Sequence, residues 1–62
     1  MVLKYKGYTG SIQWDKDSQE FYGEILNIFD IIVYTGRDLV EIKEMFHEAV
    51  NEYLVDVKTF KQ

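Results

Sequence analysis

The chain has 62 residues, a formal net charge of −4 and neither cysteine nor proline. This length limits it to one domain with a thin core, so we treat residues 1–62 as a single domain. The absence of cysteine excludes disulfides and thiolate zinc sites, and it favours a cytoplasmic location. Because an acidic chain repels phosphate, the composition disfavours direct nucleic-acid binding and favours a basic protein partner.

No segment is apolar for long enough to span a membrane, and residues 1–6 lack the apolar run of a signal peptide. We therefore expect no membrane association.

The first half of the sequence predicts a β-rich region that begins with a long strand over residues 3–14. From Tyr8 to Trp14 apolar and polar residues alternate with a period of two, which is typical of a half-buried strand. The alternation changes phase before Gly7, so we expect a bulge or bend there.

Two further strands follow a polar turn. The second covers residues 21–26, and the third covers residues 31–35. The third strand is apolar on both faces, with Ile31 and Val33 on one side and Ile32 and Tyr34 on the other. Because a single helix covers one face of a small sheet, we expect Ile31 and Val33 to form a contact surface on the open face.

The remainder of the sequence predicts a helix. Asp38 and Glu41 have the spacing of a capping box, and the helix is expected to end near Val57, with residues 58–62 frayed. The predicted buried stripe consists of Leu39, Ile42, Phe46, Ala49, Val50, Tyr53, Leu54 and Val57. The predicted solvent face consists of Glu41, Lys43, Glu44, Glu48, Asn51 and Glu52.

The predicted fold class is α+β: a three-stranded antiparallel meander with one C-terminal helix packed on one face, in the order β-β-β-α. Phe46 is expected to anchor the helix against Ile12, Ile25 and either Ile32 or Tyr34.

Candidate chemical groups are sparse. The carboxylates of the first half do not form a pattern that predicts two-metal chemistry; they are Asp15, Asp17, Glu20, Glu24 and Asp30. His47 is the single histidine, and we interpret it as a helix-surface residue or a partner contact rather than a catalyst. We therefore assign no catalytic, metal-binding or cofactor-binding residue.

Two stretches of the sequence resemble HicB-like antitoxins. Residues 5–12, YKGYTGSI, resemble the opening strand of that family, and residues 46–54, FHEAVNEYL, resemble the end of its helix. Residues 21–23, Asp30 and Gly36 fit the same order and spacing, so the resemblance extends over nearly the whole chain.

The resemblance implies a partial ribonuclease H-like fold, oligomerisation, and binding to a HicA-type toxin, a small basic ribonuclease that the antitoxin neutralises by covering it. Full-length members of the family continue into a further strand and a DNA-binding domain. Residues 1–62 contain neither, so we expect no autonomous DNA repression.

We expect a non-enzymatic binding module. The alternatives are a minimal ribonuclease H-like metal-dependent hydrolase and an orphan homo-oligomeric domain without a toxin. We also expect a homodimer that forms at the free edge of the first strand. The predicted partner or oligomer contacts are Tyr5, Tyr8, Ile31, Val33 and His47.

Overall fold

A computed structural model describes the backbone of residues 1–60 and the side chains of residues 1–55, and it shows an α+β fold. Five strands precede one helix: β1 (Val2–Tyr5), β2 (Tyr8–Ser11), β3 (Gln13–Asp15), β4 (Glu20–Glu24), β5 (Val33–Gly36) and α1 (Leu39–Phe60). Strands β1 and β2 form one antiparallel sheet, and β3, β4 and β5 form a second one in that order. The α+β class is therefore confirmed, whereas a single three-stranded meander was predicted and the structure has five strands in two sheets.

The long first strand of the prediction is in fact a hairpin followed by a short strand. Lys6 and Gly7 connect β1 to β2 with φ angles of 52° and 84°, and Tyr5 pairs with Tyr8. Two successive positive φ angles are typical of the type I′ turn, which matches the twist of a two-residue hairpin. The prediction of a bulge or bend within one continuous strand at Gly7 is therefore wrong, because the structure has a hairpin turn there. The phase change occurs because the chain reverses direction, which returns Tyr5 and Tyr8 to the same face.

The pairing of β2 with the segment after β4 continues in the same register as the pairing of β3 with β4. Gly10 of β2 lies opposite Ile25, and Gln13 of β3 lies opposite Tyr22, so β2 and β3 pair in succession with the same neighbouring segment. The Leu26 amide also donates to the Thr9 carbonyl at 2.8 Å. Strand β2 consequently lies between β1 and the β4 segment. The expectation of a free edge along the whole first strand is wrong over Tyr8–Ser11, because β1 covers it.

The helix begins immediately after the sheet. The Asp38 carboxylate accepts the Glu41 amide at 2.8 Å, and the Glu41 carboxylate accepts the Arg37 amide at 2.6 Å. The cap at Asp38 is confirmed, whereas the Glu41 carboxylate reaches the Arg37 amide, one residue before the Asp38 amide that a capping box uses. A Cβ atom at Gly36 would collide with the Ile42 backbone, so glycine permits the close turn from β5 into α1.

The core lies between α1 and one face of the sheets. Its buried hydrophobic members are Ile25, Tyr34, Ile42, Phe46, Ala49 and Val50. Phe46 is completely buried, and its ring centroid lies 5.4 Å from that of Tyr34, which confirms it as the anchor of the helix. Leu39 departs from the predicted stripe because 47% of its surface is exposed.

The C-terminal end of the helix extends beyond the prediction. The backbone is helical to Phe60, three residues past the expected end at Val57. The predicted packing of Val57 and the predicted fraying of Lys61 and Gln62 lie outside the described residues.

Candidate protein-binding surfaces

The five predicted contact residues fall on two sides of the molecule. Tyr5, Tyr8 and His47 lie partly buried on the side that α1 covers. Ile31 and Val33 are 85% and 66% exposed, as predicted for the open face. The structure therefore groups these residues into two separate regions.

Tyr5 and His47 contact each other. Their rings stack with centroids 3.9 Å apart and planes inclined by 15°. The Lys6 ammonium group donates to the Asn51 side-chain carbonyl at 2.8 Å, and it lies 5.2 Å from the Tyr5 ring centroid. The first role of Tyr5 and His47 is therefore within the chain, where they hold the hairpin against the helix.

Tyr8 has a similar role further along the helix. Its ring meets the Tyr53 ring edge to face, with centroids 5.6 Å apart and planes inclined by 82°. Both residues are only partly buried, so their outer edges stay accessible.

His47 also lines a shallow depression on α1, which we call the helix groove. Its lining residues are Leu39, Val40, Lys43, Glu44 and His47, and its volume is about 490 Å³. Val40 is 69% exposed and Leu39 is 47% exposed, so the floor of the groove is apolar. Exposed aliphatic side chains of this kind are typical of a contact surface rather than of a core.

A second depression, the strand cleft, adjoins the helix groove at Leu39. It has a volume of about 360 Å³ and is lined by Met1, Ile12, Gln13, Trp14, Phe21 and Leu39. Trp14 remains 51% exposed there, although it packs edge to face on Phe21 with ring centroids 4.8 Å apart. Aromatic residues that are half exposed beside aliphatic ones are typical anchors of protein interfaces.

The outward side of α1 is acidic. Glu41, Glu44, Glu48 and Glu52 are all exposed, and their spacings of three and four residues place them in one row along the helix. We call this set the acidic row. Glu44 belongs both to the acidic row and to the helix groove, so the acidic row adjoins the apolar floor, and Lys43 lines the groove beside it.

Sequence reasoning missed Leu39, Val40 and Trp14 as surface residues. Leu39 and Trp14 follow the periodicity of the core, and the periodicity does not show that both residues border an open depression. The available signal was Val40, an aliphatic residue that lies off the buried stripe in the first turn of the helix.

The predicted carboxylates are dispersed. The Asp15 carboxylate accepts the Asp17 amide at 3.0 Å within the turn, and Glu24 and Asp30 are exposed on other segments. Within the part of the chain whose side chains are described, no group of three or more His, Cys, Asp or Glu residues is placed to hold a metal ion.

No family model, curated protein or solved structure matches the chain. In the part of the chain that the structure describes, no helix has an apolar stretch long enough to cross a membrane.

Proposed function

We propose that this domain is a HicB-like antitoxin module that binds a basic HicA-type toxin through the helix groove and the strand cleft. The observation that favours this function most is the exposed apolar floor formed by Leu39 and Val40 beside the acidic row. In this proposal the fold is the partial ribonuclease H-like fold of that family, and the location is the cytoplasm.

The apolar floor provides the affinity in this proposal. Protein interfaces obtain most of their binding energy from a few large side chains that become fully desolvated at the centre of the contact. Trp14, Leu39 and Val40 retain about half of their surface or more in the free domain, so a partner can still bury them. Their alignment along two adjoining depressions suits an elongated partner element such as a helix.

The acidic row selects the partner by charge. Exposed carboxylates around an apolar centre attract a basic protein, and they increase the association rate more than the final affinity. A net charge of −4 acts in the same direction over longer distances. We therefore expect the association rate to fall steeply with rising salt, while the dissociation rate changes little.

The experiment uses the full chain and a purified basic toxin encoded by the adjacent reading frame. Val40→Asp places a charge on the groove floor and is expected to weaken binding by about 2 kcal/mol, roughly thirtyfold in Kd. The matched control is Val55→Asp, because Val55 is a similarly exposed valine of the same helix that does not line the groove. Its Kd should remain within about twofold of that of the parent, as for a surface change outside an interface.

Calorimetry measures the Kd, and an RNA-cleavage assay measures neutralisation of the toxin. Equal effects of Val40→Asp and Val55→Asp would contradict the assignment of the groove. Failure of the parent domain to bind the toxin would contradict the antitoxin function, and it would favour an orphan oligomeric domain.

The rival hydrolase function is tested separately. We expect no RNA cleavage by the isolated domain in magnesium or manganese. Metal-dependent cleavage that Asp15→Asn or Asp30→Asn abolishes would replace the binding function with an enzymatic one.

A further inference from the structure

Strand β5 is the last strand of its sheet, and its main-chain hydrogen-bonding groups alternate between two directions. The Ile25 amide donates to the Ile32 carbonyl at 3.0 Å, which fixes the phase of the ladder between β4 and β5. Tyr34 therefore directs its main-chain groups toward β4, whereas Val33 and Thr35 direct theirs away from the sheet.

Two contacts on the other side of β4 confirm this phase. The Glu24 amide donates to the Ser11 hydroxyl at 3.1 Å, and the Leu26 amide donates to the Thr9 carbonyl. The main-chain groups of the even-numbered residues Glu24 and Leu26 are thus directed toward β2. Those of the odd-numbered residues are left to bond with β5.

The outward groups of β5 have no hydrogen-bond partner among the described residues. Side chains do not protect this edge either: Val33 is 66% exposed, the neighbouring Ile31 is 85% exposed, and the strand contains no lysine or proline. An unprotected row of amides and carbonyls beside exposed β-branched residues is a template for another strand.

We propose that two copies of this chain form a dimer by pairing β5 with β5 in antiparallel orientation, about a two-fold axis at Tyr34. In this register Val33 of each copy lies opposite Thr35 of the other. Both residues direct their main-chain groups outward, so the two pairs exchange four hydrogen bonds. The two three-stranded sheets then join into one continuous sheet with closed two-fold symmetry.

The register also brings opposite charges close together. Arg37 follows β5 directly, and Asp30 lies in the loop before it; both are exposed. Antiparallel pairing about Tyr34 places Arg37 of each copy opposite Ile31 of the other, one residue from Asp30. The same register places Asp38 opposite Asp30, but the Asp38 carboxylate is engaged at the start of α1, where it accepts the Glu41 amide. The arrangement is self-complementary, as a two-fold interface requires.

The opposite edge of the fold lacks this complementarity. Strand β1 contains the exposed Lys4, and Lys6 follows it in the turn. Two-fold pairing of β1 would bring lysines of both copies together, and lysines on an edge strand discourage pairing. The other edge of the three-stranded sheet, β3, offers only the three residues Gln13–Asp15. The β5 edge is therefore the surface for a second copy. It does not include the helix groove, so this inference is independent of the proposed function.

The first test is sedimentation equilibrium of the full chain from low to high micromolar concentration, with a reversible dimer as the expected result. Thr35→Pro removes an outward amide without removing a hydrogen bond within the chain, so the fold should persist while the dimer dissociates. Thr35→Ala keeps that amide and is expected to dimerise as the parent does. Circular dichroism of each variant verifies the fold.

The second test reverses the charges of Arg37 and Asp30, two exposed residues that lie outside the core. Arg37→Asp and Asp30→Arg are each expected to raise the dimer dissociation constant by about tenfold, and the double variant is expected to restore it. Monomer at every concentration would overturn the proposal. A dimer that is insensitive to Thr35→Pro and to both charge reversals would overturn it as well.

Discussion

The Tyr5 ring lies flat on the His47 imidazole, with centroids 3.9 Å apart and planes inclined by 15°. This contact joins the last residue of β1 to the middle of α1. The hydrogen bond between Lys6 and Asn51 makes a second link one turn further along the helix. The hairpin and the helix are thus fixed to each other by aromatic and polar contacts at the border of the core.

The stacked pair should be energetically coupled. In a double-mutant cycle with Tyr5→Ala and His47→Ala, we expect a coupling free energy of about 0.5–1.5 kcal/mol from urea denaturation. A control cycle of Tyr22→Ala with His47→Ala should give a value near zero, because Tyr22 lies on the outer face and bonds to Gln13. Strict additivity for Tyr5 and His47 would contradict the stack.

The start of the helix depends on its cap. Asp38→Ala should lower the free energy of unfolding by about 1 kcal/mol, which corresponds to several degrees in the melting temperature of a small domain. Asp38→Asn retains an acceptor oxygen for the Glu41 amide and should lose only a few tenths of that amount. An unchanged melting temperature of Asp38→Ala would exclude the cap as a contributor.

Two phenylalanines with opposite burial test the core. Phe46 is completely buried and Phe29 is fully exposed. Phe46→Ala should cost about 3–5 kcal/mol, which is enough to unfold a domain of this size. Phe29→Ala should leave the thermal transition within about 0.5 kcal/mol of the parent. Comparable losses in the two variants would contradict the packing of α1.

The pH dependence of stability has a contribution from Tyr34. Its hydroxyl donates to the Ser11 carbonyl at 2.9 Å, and burial, together with the charge of Glu24, raises the pKa of Tyr34 to about 12. Because folding favours the neutral phenol, this contribution is complete below the unfolded pKa of about 10, and it is lost as the pH rises toward about 12.

Tyr34→Phe removes both the hydrogen bond and this titration. We expect a loss of about 1–2 kcal/mol near neutral pH and a shallower decline in stability at alkaline pH, measured by urea denaturation. Tyr22→Phe is the control, because Tyr22 is 41% exposed. Parallel alkaline profiles for the parent and Tyr34→Phe would contradict the buried neutral phenol.

The sequence was sufficient to predict the features that depend on local periodicity. The cap at Asp38 and the burial of Phe46 follow from spacing within one element, and the structure shows both. The exposure of Ile31 and Val33 follows from the alternation of one strand and from a single helix that covers one face of the sheet. These features need no knowledge of how distant segments pair.

The first fourteen residues were harder to predict because two conformations explain the same alternation. A bulge at Gly7 and a hairpin through Lys6–Gly7 both reverse the phase of apolar residues, and only strand pairing separates them. The exposure of Leu39 could not be predicted for a related reason, since burial in the first turn of a helix depends on which distant residues lie beside it.

The connectivity of the strands has a consequence for folding kinetics. Each strand pairing joins segments that follow one another closely in the chain. Each therefore closes a short loop, and the loss of chain entropy is small. The bond between Lys6 and Asn51 instead joins residues that are 45 positions apart. Docking of the hairpin onto the helix is thus the long-range closure of this chain. We expect the entropic cost of this closure to limit the folding rate. Shortening the loop between β4 and β5 should then accelerate folding only slightly, because that cost varies with the logarithm of loop length.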